Sequence, residues 1–92
     1  MKEYKNIHIK EGVVYQFADE RLMVYVEDEG MIHVLNETAA KILQMIEGGD
    51  DTVERLAGEM LRIYYGVDKD QLLGDVKNIL NKMEEMDIIE GL

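Results

Sequence analysis

Apolar side chains in the first third of the chain recur at every second position. Ile7 and Ile9 alternate with His8 and Lys10, and Gly12 opens the β-branched and aromatic run Val13-Val-Tyr-Gln-Phe17. Leu22, Val24 and Val26 then alternate with Met23, Tyr25 and Glu27. A period of two places each set on one face of a half-buried strand. Asp19-Glu20 and Asp28-Glu29-Gly30 separate these runs from a third, Met31 to Leu35. Gly30 is suited to the positive φ of a tight turn. Connections this short join antiparallel neighbours, which predicts a three-stranded meander.

At Asn36 the period changes without an intervening loop. The Asn36 side chain suits an N-cap, and Glu37 suits the positive end of a helix dipole. Ala39, Ile42, Leu43 and Ile46 follow at helical spacing until Gly48-Gly49 stops the helix. Asp51 or Thr52 caps a second helix whose buried face is Val53, Leu56, Ala57, Met60, Leu61 and Tyr64, with Gly66 ending it. Asp68 caps a third, with an apolar stripe of Leu72, Leu73, Val76, Ile79, Leu80, Met83 and Met86. On a helical wheel that stripe spans about 140°, wider than the usual ~100°. Ile88 and Ile89 are expected to fold back onto the core, with Ile42 and Leu56 at its centre. Gly58 and Gly74 stand inside helices, and close helix packing is the expected reason. The whole reads as one α+β domain over residues 1–92, with three antiparallel strands followed by three helices.

Composition narrows the chemistry. The chain has 92 residues, no cysteine, and 20 acidic side chains against 10 basic ones, for a formal charge of −10. Without cysteine there are no disulfides, thiolate metal sites or thiol nucleophiles. An acidic surface repels phosphates, so nucleic acid is not an expected partner. No stretch has the length of a signal peptide or a membrane helix, so no membrane partner is expected and a cytoplasmic location is.

Catalytic chemistry finds little footing. His8 and His33 have no partner at metal-ligand spacing, serine is absent, and Thr38 and Thr52 are explained as helix-start residues. The glycine pairs lack a following Lys-Ser/Thr, so no phosphate loop is present. Carboxylates are abundant, but none is embedded in an apolar setting that would raise its pKa for acid–base work. No catalytic residue, metal or cofactor is expected, and the chain does not read as an enzyme.

Binding has a better basis. A meander has two edges with unpaired N–H and C=O groups. Met31, Ile32, His33, Val34 and Leu35 carry no acidic side chain, lysine, arginine or proline to blunt an edge. If Ile7 and Ile9 extend along the first strand, the third strand is the open edge, and a peptide can join it as a fourth strand. The residues alone leave equally open that this strand is covered and the wide helical arc is all core.

The succession from Gly30 to Leu35-Asn36-Glu37-Thr38-Ala39, with Ile42-Leu43 and Gly48-Gly49, resembles the PqqD family. Thr52-Val53-Glu54 with Leu56, Tyr65-Gly66-Val67, Asp75-Val76 and Leu80 continue the likeness, from Val13 to Ile89. Residues 1–10 lie outside the recognisable match. The resemblance implies a winged-helix-like domain that binds the leader of a ribosomally made precursor peptide between the third strand and the third helix. It also implies a modifying enzyme as partner, commonly a radical SAM enzyme. Carried over by position, the strand contributes Met31 to Leu35. The helix offers two flanks, Leu73, Lys77 and Leu80 on one and Ile79 and Met86 on the other. The first is favoured, because Lys77 sets a cation beside the pockets for an acidic leader. A winged-helix DNA regulator and a structural subunit of a larger enzyme complex are the rival readings, and a homodimer is left open.

Overall fold

The computed structural model of the protein describes residues 4–19, 21–64 and 66–91; Glu20 and Tyr65, read above as part of a turn and of a family motif, lie outside them. In chain order the elements are β1 (His8–Ile9), β2 (Val13–Ala18), β3 (Arg21–Val26), β4 (Met31–Leu35), α1 (Glu37–Glu47), α2 (Val53–Ile63), α3 (Lys69–Glu85) and β5 (Ile89–Glu90). The α+β order is the expected one. The sheet runs β2-β3-β4, antiparallel throughout. Leu22, Val24, Val26 and Leu35 turn inward and are buried, while Met23, Tyr25, Ile32 and Val34 turn outward.

Polar side chains start each helix. Asn36 Oδ1 accepts from Ala39 N–H at 2.9 Å, Thr52 Oγ1 from Arg55 N–H at 3.2 Å, and Asp68 Oδ1 from Asp70 N–H at 3.1 Å. The choice between Asp51 and Thr52 thus falls to Thr52. Gly49 ends α1 at φ +113°, with its N–H on Ile46 O and that of Asp50 on Met45 O. Asp87 plays the same part after α3 at φ +60°, with its N–H on Glu84 O and that of Ile88 on Met83 O. This pair of hydrogen bonds to the last turn throws Ile88 and Ile89 back into the core, where both are buried. α2 stops at Ile63, before Gly66.

Two expectations need correction. Ile7 and Ile9 do not extend β2: Gly12 at φ +81° turns the chain, and β1 pairs instead with β5, His8 opposite Glu90 and Ile9 opposite Ile89. Both edges of the main sheet, β2 as well as β4, are therefore free of a strand partner among the described residues. Gly58 and Gly74 are not close-packing positions either, since both are exposed and a Cβ built on either meets no atom within 4 Å.

The core lies between the inner sheet face and the helices, with Ile42, Leu43, Leu56 and Leu80 wholly enclosed. Tyr4 and Ile7 join it from the N-terminal segment. Ile7 N–H donates to Asp51 O at 3.0 Å, and Tyr4 OH donates to Asn81 Oδ1 on α3 at 3.2 Å.

Candidate peptide-binding cleft

Hydrogen-bond phase decides what β4 offers at its edge. Glu27 N–H donates to Gly12 O at 3.0 Å, so the odd-numbered residues of β3 bond toward β2. Alternation in an antiparallel ladder then directs Leu22, Val24 and Val26 toward β4, where they face Leu35, His33 and Met31. Ile32 and Val34 are left with N–H and C=O pointing off the open edge. Their side chains stand on the outer face, 59% and 57% exposed.

Beside this edge, α3 and the start of α1 form a hollow of about 200 Å³ lined by Val34, Leu35, Asn36, Ala39, Ile79, Lys82, Met83 and Met86. The lining is mostly apolar, with Lys82 as its cation. Lys82 enters no ion pair among the described residues and is exposed. An extended segment laid against β4 places every second side chain over this hollow, because strand side chains alternate between faces.

The expected residues are divided by the fold. Val34 and Leu35 line the hollow, and Ile32 supplies edge backbone. Met31 and His33 share the Leu35 side of the strand, where Met31 is exposed and His33 half-buried, and neither lines the hollow. His33 Nε2 is shielded, has no hydrogen-bond partner among the described residues, and lies 3.9 Å from Glu29 Oε2. On α3 the flank beside β4 is Ile79, Lys82 and Met86, not Leu73, Lys77 and Leu80. Leu80 is fully buried, and Lys77 lines a separate hollow of about 280 Å³ with Tyr4, Lys5, Asn6, Thr52, Val53 and Glu54. The physical reason is the N-terminal segment, which packs along that side of α3. On the wheel Lys82 stands next to Met86 and Ile79 and so marks their flank as amphipathic.

Other charges are locally engaged. Arg55 and Arg62 of α2, which a DNA-reading helix would present, pair with Asp51 at 3.8 Å and Glu59 at 3.6 Å. A hydrogen bond to the Asp87 carboxylate holds the Glu29 carboxyl above its usual range. No group of three or more potential metal ligands occurs among the described residues, and no helix among them is long and apolar enough to cross a membrane.

Compared with known proteins, the chain matches over residues 20–89 the family model described as coenzyme PQQ synthesis protein D (PqqD). No curated protein matches it in sequence. The fold is similar to that of TbiB1, solved in complex with the TbiA(beta) leader peptide, with a TM-score of 0.84 at 20% identity over 92% of this chain and 96% of that one. It is also similar to lasso peptide synthetase B1 complexed with its leader peptide, with a TM-score of 0.79 at 19% identity over 92% of this chain and 98% of that one.

Proposed function

Because this chain belongs to the PqqD family, we propose that it is a non-catalytic recognition protein. It binds the leader of a ribosomally made precursor peptide as a strand added to β4, and presents the peptide to a modifying enzyme. The observation that carries this reading is the pairing of an open strand edge, Ile32 and Val34, with an apolar hollow directly beside it. Backbone bonds to the edge would supply affinity that is blind to sequence, at about 0.5–1.5 kcal/mol each. Alternate side chains entering the hollow would supply the selectivity. Two solved proteins of the same fold hold leader peptides, which supports the assignment. A radical SAM enzyme is the partner expected from the family resemblance, and a cytoplasmic location belongs to the same reading.

The hollow specifies a leader with apolar residues at alternate positions and an acidic residue within reach of Lys82. A DNA-binding role is disfavoured by the pairing of Arg55 and Arg62 with acids. Amide shift mapping with the synthetic leader of the cognate precursor is the direct test. The largest shifts are expected at Ile32, Val34, Ile79, Lys82 and Met86. Shifts centred on α2, or on Leu73 and Lys77, would remove the β4 cleft as the site.

A further inference from the structure

The outer face of the sheet, turned away from all three helices, carries two cross-strand rows. Val14, Tyr25 and Ile32 form one; Gln16, Met23 and Val34 form the next. All but Gln16 are large and apolar, and these stand 41–60% exposed. The rows contain no charge, on a chain with 20 acidic and 10 basic side chains. A hollow of about 190 Å³ opens among them. Contiguous apolar surface of this kind marks a protein–protein contact. A strand added to β4 would leave Met23 and Tyr25 accessible, because they stand on the central strand β3, while Val34 borders the cleft as well as this face.

Charge selects the occupant. Glu27 and Asp28 follow the face at one end; at the other stand Asp19 and the exposed Arg21, which shares a hollow with Met23 and Val34, so the fringe is acidic on balance. A second copy would bring −10 onto −10, so self-association across this face works against the whole-chain field. A surface with an apolar centre and a fringe of lysine and arginine gains both burial and attraction. We propose that this face docks the modifying enzyme, through an apolar patch fringed by basic residues, while the leader occupies the β4–α3 cleft. The identity of the partner rests on the function proposed above; the existence of the docking face does not.

Two variants on β3, Tyr25→Glu and Met23→Gln, test it, each checked for an unchanged circular dichroism spectrum. The probes are the purified enzyme that modifies the precursor and, separately, the synthetic leader. Both variants are expected to weaken enzyme binding, Tyr25→Glu by about tenfold or more, while leader affinity stays within about twofold. Rising ionic strength should weaken the wild-type enzyme complex. Unchanged enzyme affinity in both variants overturns the proposal, as does a wild-type protein that does not bind the enzyme at all. Sedimentation showing a wild-type dimer that Tyr25→Glu splits also overturns it, in favour of a second copy. Loss of leader binding in the wild type, with enzyme binding intact and sensitive to Tyr25→Glu, sinks the peptide reading and leaves the docking face standing.

Discussion

Lys77 and Lys82 lie on one helix, about 140° apart at 3.6 residues per turn, and only Lys82 borders the β4 hollow. Lys82→Glu is expected to weaken an acidic leader by about 1 kcal/mol, the scale of an exposed charge pair, whereas Lys77→Glu leaves affinity unchanged. Titration calorimetry with both variants reads this directly, and the opposite order would place the peptide on the other flank. Periodicity showed which residues share a flank but not which flank meets the strand. That choice is made by Tyr4 and Ile7, whose segment alternates briefly at Ile7 and Ile9 but carries no sign that it packs along α3. His8 is a second case of meaning visible only after folding. Its ring nitrogens lie 2.9 Å from Asn6 O and 2.9 Å from Glu90 Oε1, contacts that an imidazolium satisfies by donating from both. The Asn6 carbonyl first, and then Glu90, hold its pKa above the ordinary 6.5. A raised folded-state pKa means that this stabilisation is complete below pH 6.5 and fades as pH rises through the higher folded value. The urea midpoint should fall across that window, and His8→Gln should flatten the fall.

Among the elements, β4 carries the clearest consequence. Val34→Pro removes an N–H aimed off the edge without breaking the ladder to β3. Leader affinity should drop about tenfold, one lost bond of ~0.5–1.5 kcal/mol plus obstruction by the ring, with little change in the melting curve. A variant that melts normally and binds like wild type would show that the peptide does not add to β4. The helices were legible because their starts obey local chemistry: Asn36, Thr52 and Asp68 all stand where a side-chain oxygen is needed. The end of α3 was not, since Asp87 adopts a left-handed conformation that sequence ordinarily assigns to glycine. The mid-helix glycines point the other way. With open space where a Cβ would go, Gly58→Ala and Gly74→Ala should each raise stability by up to ~1 kcal/mol. A destabilisation measured by denaturant titration would reveal a role for the bare backbone.

For the molecule as a whole, fold class followed from two periods and the two short turns of the meander, but closure of the core did not. The N-terminal segment crosses to the last strand, and Ile7 is as buried as the inward-facing residues of β3. Ile7→Ala should therefore cost about 2–5 kcal/mol, measurable as a shift in the denaturant midpoint. A surface-like response would mean that the segment is dispensable. The pairing of His8 with Glu90 also makes the first and last strands neighbours, to the point that a Cβ on Gly91 would sit 3.1 Å from Lys5 O. From Lys5 to Gly91 the described residues nearly close a ring. A permutant in which a few glycines join Gly91 to Lys5 and the chain opens at Gly48-Gly49 would keep the β4 edge and the α3 flank in place, so residues 5–91 could be spliced into an enzyme as an insert as readily as appended to one.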